Sequence, residues 1–389
     1  RAVDPHHKSI PLSNGVGGVF GFRRLAIQDL SDAGHQPMVS DDGNSVINFN
    51  GEIYNANKLR QKLCQFNGVN FRGSSDTEVV LQLYRNFGFL ETVNLLDGMF
   101  ALCILDLREK KLFLARDHAG IKPLYIYKKE GNILFSSEVK AFRLSRNYRF
   151  GLNENILPEY LLFRHIAGSK TLYQDVEELP PGAIDCYQVG LGGDLHHERS
   201  YFYTLPLWSQ SSVNDVSFID TLKESVNQQL ISDVPVGCEL SGGIDSSLVS
   251  LLANNGSKRF ETFSVVLDGL QLSEEPYIDI VNTKIGCKGN KYFIDDNYFV
   301  DNLEDATYHL DHPLHHPNSI GIHFLARNAC SKVTVVLSGE GADEMFGGYS
   351  RFIFSHFGGS YFNGVIRDVN RISNNLSGLK QFGMLSDRT

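Results

Sequence analysis

The sequence predicts an α+β domain followed by a doubly wound α/β domain, and three observations predict it. Residues 1–150 carry many short strand-like segments interrupted by two helical patterns. From Phe218 onward, helix and strand patterns alternate. Two serine-glycine strings then fall at the carboxyl ends of two strand-like runs in this second half, where open α/β sheets bind ligands. A chain of 389 residues accommodates about two or three domains.

In the first half, Val46 to Phe49, Phe100 to Asp106, Leu112 to Ala115, Leu124 to Tyr127 and Ile133 to Phe135 read as strands. They are short, rich in apolar residues and bounded by Gly, Asn or Asp. Leu59, Leu63 and Phe66 share one helical face, as do Val79, Val80, Leu83, Tyr84 and Phe87. Strands with two early helices suggest sheets with helices packed outside. Leu179-Pro180-Pro181-Gly182 reads as a turn. Thr204 to Val216, rich in Pro, Ser, Gln and Asn, reads as the linker between domains 1–205 and 206–389.

In the second half, Phe218, Leu222, Val226 and Leu230 mark a helix. Val234 to Leu240 reads as a buried strand and Ser246 to Leu252 as the helix after it. Thr262 to Leu267, Lys291 to Ile294 and Val333 to Leu337 follow as strands, with a helix from Pro276 to Ile285. This alternation implies a largely parallel sheet.

Composition narrows the function classes. Apolar residues make up 42% and charged residues 21%, as in an ordinary globular chain. A net charge of −9 argues against non-specific nucleic-acid binding, which needs basic faces. No apolar run approaches the roughly 20 residues of a membrane span. Cys64, Cys103, Cys186, Cys238, Cys287 and Cys330 are scattered without metal-ligand spacing, which suits reduced, mostly buried thiols in the cytoplasm. The histidine pairs His6-His7, His196-His197 and His315-His316 lack regularly spaced partners and are weak metal candidates.

The first serine-glycine string is Glu239-Leu240-Ser241-Gly242-Gly243-Ile244-Asp245-Ser246-Ser247. Glycine takes positive φ without steric cost, so Ser-Gly-Gly gives a tight turn. Successive N–H groups and the following helix N-terminus then form a cradle for pyrophosphate. Ser241, Ser246 and Ser247 add hydroxyl donors. Asp245 would repel phosphate, so it is expected to hold Mg²⁺ or to orient the loop. The second string is Leu337-Ser338-Gly339-Glu340-Gly341-Ala342-Asp343-Glu344, whose carboxylates make sense as Mg²⁺ ligands and a base. The first string resembles the PP-loop of ATP pyrophosphatases, which cleave ATP to AMP and pyrophosphate.

Three strings in the first half complete the pattern. Phe22-Arg23-Arg24-Leu25-Ala26-Ile27 leads to Ala33-Gly34-His35-Gln36-Pro37-Met38. Then come Phe49-Asn50-Gly51-Glu52-Ile53-Tyr54-Asn55 and Ser74-Ser75-Asp76-Thr77-Glu78. Each alone reads as a turn or helix start. In this order they resemble the glutaminase domain of class II glutamine amidotransferases, an N-terminal-nucleophile hydrolase of αββα layering. Asp117 to Tyr125 and Phe135 to Ala141 look like scaffold strings of that family. Both halves together resemble glutamine-hydrolysing asparagine synthetases.

That resemblance implies roles. Asn50 and the Gly51 N–H match an oxyanion hole. Glu52 and Asp76 match residues holding the glutamine α-amine, and Arg1 the arginine gripping its carboxylate. Ser241, Gly242, Gly243, Asp245, Ser246 and Ser247 match the pyrophosphate loop. Leu240 and Val265 lie where the family contacts adenosine. Ser338, Gly339 and Glu340 match the adenylate-binding string, with Glu340 the base for ammonia attack. Asp245 and Asp343 match Mg²⁺ ligands, and Arg388 a pyrophosphate-contacting basic residue. The implied substrates are ATP, aspartate and glutamine; a homodimer is one assembly left open, since the sequence does not give the oligomeric state.

The family's N-terminal cysteine nucleophile is not among residues 1–389. Either it precedes Arg1 or the glutaminase is dead; the presence of Asn50, Gly51, Glu52 and Asp76 favours the first. The short spacing from Gly348 to Asp387-Arg388 likewise implies an incomplete last domain. Two other readings stay open. One is a relative that adenylates a sugar, peptide or β-lactam-precursor carboxylate, because the PP-loop does not read the acceptor. The other is a non-catalytic scaffold.

Overall fold

The computed structural model describes residues 6–11, 17–129, 131–190, 194–205, 215–254, 260–267, 273–287, 289–314 and 316–349. Arg1 and Arg388, two of the expected site residues, lie outside them, as does most of the expected linker.

The chain opens with an antiparallel hairpin, β1 (His6–Pro11) and β2 (Gly17–Phe22). Next come β3 (Met38–Val39), β4 (Ser45–Ile53), α1 (Ala56–Leu63), α2 (Asp76–Phe87), α3 (Phe89–Leu95), β5 (Gly98–Asp106) and β6 (Lys111–Arg116). β7 (Tyr125–Lys129), β8 (Asn132–Ser136), α4 (Leu157–Phe163), β9 (Val176–Glu178), β10 (Ala183–Val189) and β11 (Leu195–Tyr201) complete this half. A six-stranded sheet runs in the order β11-β10-β6-β5-β4-β3, and a three-stranded sheet in the order β8-β7-β9, all antiparallel.

Alternation along β4, β5 and β10 sorts side chains between two cores. Ile47, Phe49, Ile53, Phe100, Leu102, Ile104 and Ile184 face α1, α2 and α3. Val46, Ala101, Cys103, Leu105, Ala183 and Tyr187 meet Leu124 and Ile126, sandwiched between the sheets. Beyond the smaller sheet, Tyr127 and Val176 pack on Val139 and Phe142 of a 3₁₀ segment, Val139–Leu144. Among the described residues the outer layer on this side is thin, because α4 buries none of its own residues.

One predicted face ends early. α1 stops at Leu63, and Phe66 follows in a turn, 42% exposed, stacked edge-on against Phe87 at 5.4 Å.

The second half contains α5 (Asp215–Gln229), β12 (Val236–Glu239), α6 (Ile244–Ala253), β13 (Thr262–Leu267), α7 (Glu275–Ile285), β14 (Asn290–Ile294), α8 (Asp296–Asp301), α9 (Leu303–Leu310), α10 (Asn318–Ala329), β15 (Val335–Leu337) and α11 (Ala342–Phe346). β12 starts later than expected because Pro235 has no N–H for the ladder; its carbonyl accepts from Thr334 instead. The four strands are parallel, in the order β14-β13-β12-β15. In chain order this is third, second, first, fourth. The winding direction therefore reverses between β12 and β15, a topological switch point that opens a crevice at the carboxyl ends of those two strands.

The halves touch directly. Asp233 accepts the Asp29 N–H at 2.8 Å and donates its own N–H to the Ile27 carbonyl at 2.9 Å. Lys140 lies 3.2 Å from the Asp311 carboxylate, Tyr173 donates to the Asp311 carbonyl, and Tyr160 donates to the Pro313 carbonyl at 2.8 Å. Among the described residues no helix is long and apolar enough to cross a membrane.

Candidate active site

Both serine-glycine strings arrive at the switch point. Gly242 has φ +87°, the left-handed conformation that glycine adopts freely, and this reverses the chain after β12. Gly243 caps α6, so the first amides of that helix open onto the crevice. Ser241 and Ser246 work differently from the open donors expected of them. Their hydroxyls bond each other at 2.9 Å, Ser246 Oγ accepts the Ser241 N–H, and Ser241 Oγ accepts the Gly243 N–H at 3.2 Å. Ser246 is buried. These two residues brace the turn, while Ser247, half-buried, stays at the helix start.

Gly339, after β15, lies against the start of α6. A methyl group built on it would sit 2.7 Å from the Ser246 nitrogen and 3.1 Å from Asp245 Cβ. Only a residue without Cβ lets the second string approach the first this closely. Asp245 lies in the first turn of α6 and Asp343 in that of α11. Both are half-buried, and among the described residues neither carboxylate has a hydrogen-bond or ion-pair partner. Two unengaged hard oxygen donors in the helices that follow the two serine-glycine strings fit Mg²⁺, which typically takes one or two carboxylates plus substrate phosphates.

Leu240 is fully buried. Its N–H goes to the Phe263 carbonyl at 2.8 Å and its carbonyl accepts the Ser264 hydroxyl at 2.6 Å, so it supports the loop from beneath. Val265 is half-buried on β13, where Gly321 of α10 approaches it. Ser338 and Glu340 are exposed, and Ser338 Oγ accepts the Glu340 N–H at 3.4 Å. One carboxylate escaped the sequence reading. Glu239, at the end of β12, is held above the usual carboxylate range by burial and then by the nearby charge of Glu340. A charged residue within an otherwise apolar strand was the available signal.

A second cluster forms in the first half. Asn50, Gly51 and Glu52 end β4, and Asp76 opens α2. Asn50 Nδ2 donates to Ser137 Oγ at 3.2 Å, which fixes the amide. Gly51 pairs with Phe100, and a Cβ there would meet the Met99 carbonyl at 2.2 Å. Asp76 is buried and accepts the N–H groups of Ile53 at 3.0 Å and Thr77 at 2.7 Å. Glu52 accepts from Gln28 at 2.7 Å. Burial, and for Glu52 then the Asp76 charge, pushes both carboxyls above their ordinary range. Lys122 and Arg24 oppose this for Glu52.

The expected scaffold string carries the loop beside this cluster. Asp117 is 1% exposed and accepts N–H groups from Phe100, Ala119, Ile121 and Lys122 at 2.9–3.1 Å. Arg116 holds the same loop through the carbonyls of Gly120, Lys122 and Leu179.

Two family models match the chain in two successive stretches. A glutamine amidotransferase domain matches residues 6–198, and an asparagine synthase domain matches residues 217–385. The chain belongs to the glutamine-hydrolysing asparagine synthetase family. Within it, glutamine-hydrolyzing asparagine synthetase 1 of Bacillus subtilis is 36% identical over 333 residues, 85% of this chain and 52% of that one. A putative glutamine-hydrolyzing asparagine synthetase 2 of Methanocaldococcus jannaschii is 32% identical over 352 residues, 85% of this chain and 66% of that one. The glutamine-hydrolyzing asparagine synthetase of Asparagus officinalis is 31% identical over 342 residues, 85% of this chain and 52% of that one. The chain thus spans about half the length of most of these family relatives.

Proposed function

We propose that this chain carries the glutaminase and ATP-pyrophosphatase chemistry of glutamine-dependent asparagine synthesis. The observation that carries the reading is Gly339, whose missing side chain lets two strings about a hundred residues apart share one crevice at the switch point. We assign the antiparallel half to the N-terminal-nucleophile αββα class and the parallel half to the PP-loop class. Domain order and the two-sheet sandwich support the first, and the Ser-Gly-Gly cradle supports the second.

In this reading, the amides opening α6 hold the pyrophosphate of ATP, and Ser241 and Ser246 keep that turn rigid. Asp245 and Asp343 would hold Mg²⁺, which supplies charge neutralisation at the phosphates. Aspartate is primed as aspartyl-AMP, because a bare carboxylate is a poor electrophile. Glu340 takes a proton from the attacking ammonia. In the other half, Asn50 Nδ2 and the Gly51 N–H would stabilise the oxyanion formed when the family's cysteine thiolate, which is not among residues 1–389, adds to the glutamine amide carbon, before the C–N bond breaks and ammonia leaves. Glu52 and Asp76 hold its α-ammonium, which compensates two carboxyls that burial otherwise keeps protonated. The described cysteines are all free thiols, which suits a reducing cytoplasm, although only Cys103 and Cys238 are buried, fewer than expected, because Cys64 and Cys330 lie at exposed helix ends.

The test is AMP release with ATP and Mg²⁺ against a panel of carboxylic acids, with ammonia as nitrogen source. Aspartate giving asparagine is the expected result. An amide from another acid, with none from aspartate, would remove the acceptor assignment and leave the adenylation reading. No AMP with any acid would remove both.

A further inference from the structure

α9 and α10 lie side by side, and three side chains meet across them outside both clusters described above. Asp305 and His309 are four residues apart on α9 and so share one face. His323 faces them from α10. Asp305 Oδ2 is 3.3 Å from His323 Nε2, and Oδ1 is 3.7 Å from His309 Nε2. The three ligand atoms all lie within 4.8 Å of one another. The imidazole rings are 5.6 Å apart between centroids and inclined by 30°.

We infer that Asp305, His309 and His323 form a binding site for a divalent transition metal of the Zn²⁺ or Co²⁺ type. Ligands about 2.0–2.2 Å from a tetrahedral metal stand roughly 3.4 Å apart, and the two Asp305–histidine separations, one from each carboxylate oxygen, bracket that spacing. Two imidazoles and one carboxylate select this class over Mg²⁺, which prefers oxygen donors. Three protein ligands leave a fourth position for water.

Two surrounding groups set the strength of the site. Arg327 Nη1 is 3.7 Å from Asp305 Oδ2 and competes for the carboxylate, but its side chain is 62% exposed and can swing aside. His323 Nδ1 is buried without a hydrogen-bond partner among the described residues. The ring therefore offers Nε2 as its working nitrogen. It also lacks the acceptor that orients most metal-bound imidazoles, so the metal exchanges readily.

A metal here would staple α9 to α10. Asp311 directly follows α9 and makes the contacts with Lys140 and Tyr173 that join the two halves. The site therefore steadies that junction, and it stands independently of the reaction proposed above.

The experiment is a Co²⁺ titration of the untagged 389-residue chain, followed by visible absorption, with Zn²⁺ as competitor. One saturating equivalent with four- or five-coordinate absorption is expected, displaced by Zn²⁺. His309 is exposed, so His309→Ala should fold normally by circular dichroism, and it should weaken Co²⁺ binding at least about tenfold. Arg327→Gln should tighten it several-fold. A His309→Ala titration curve matching wild type, or no saturable uptake by the folded wild-type chain, would overturn the assignment.

Discussion

Glu52 and Asp76 face each other at the end of β4 and the start of α2, and burial holds both carboxyls above their ordinary range. A carboxyl with a raised folded-state pKa binds more protons folded than unfolded. Stability therefore falls as pH rises from the unfolded carboxyl range, near pH 4, through the raised folded value. Glu52→Gln removes one ionisation from that penalty. Thermal melts of wild type and variant should coincide below about pH 4 and diverge above it, with the variant the more stable. A constant difference across pH would mean the pair carries no such strain. Because bound glutamine would supply the compensating ammonium, its KM should fall over the same window.

Asn50 is fixed by Ser137 and sits beside the Gly51 amide. In a chain that also carries the family's cysteine nucleophile, Asn50→Ala is expected to lower glutamine-driven synthesis by about 10²-fold, the usual cost of one oxyanion donor. Ammonia-driven synthesis should be unchanged. Equal loss of both rates would make Asn50 a structural residue of β4.

Gly339→Ala inserts a methyl group between the two serine-glycine strings. A displacement of about 1 Å at a positioned site can cost roughly 10²-fold, so AMP release should drop by that order. Glutamine binding at the other cluster should persist. Asp245→Ala should abolish AMP release and flatten its Mg²⁺ dependence; an unaltered Mg²⁺ titration would exclude Asp245 as a ligand.

Lys140 joins Asp311 both through its ammonium at 3.2 Å and through its backbone N–H at 3.2 Å. Asp311 is only 8% exposed at its side chain. Lys140→Ala leaves that carboxylate short of a counter-charge and should destabilise the junction by about 2 kcal/mol. Urea unfolding followed separately by probes in each half checks this: the transitions should move apart. Superimposed transitions at the wild-type midpoint would show that this contact does not couple the halves.

Much of this arrangement was legible in the sequence because it rests on local rules. β13 runs over the residues predicted, since its β-branched and apolar residues sit between parallel neighbours. The Ser-Gly-Gly turn followed from glycine alone. Other parts depend on tertiary context. β11 carries His196, His197, Glu198 and Arg199, with almost no alternation to mark a strand, and is held by its pairing to β10. The bracing role of Ser246 was not readable, because a serine opening a helix points equally well to a ligand or back to its own turn. Glu239 gains its character from burial in the assembled sheet and then from Glu340, which β15 brings beside it.

The reversed winding of the parallel sheet also sets an order of assembly. β12 can pair with β13 as soon as both exist, but its other neighbour, β15, is encoded nearly a hundred residues later. During synthesis the first glycine turn waits, half-walled, until the closing strand emerges. The antiparallel half, whose pairings are all complete by Tyr201, has by then left the ribosome. The cluster around Asn50 and Asp76 is thus folded before the crevice between the two serine-glycine strings closes, and a chain truncated ahead of Val335 would keep the first without the second.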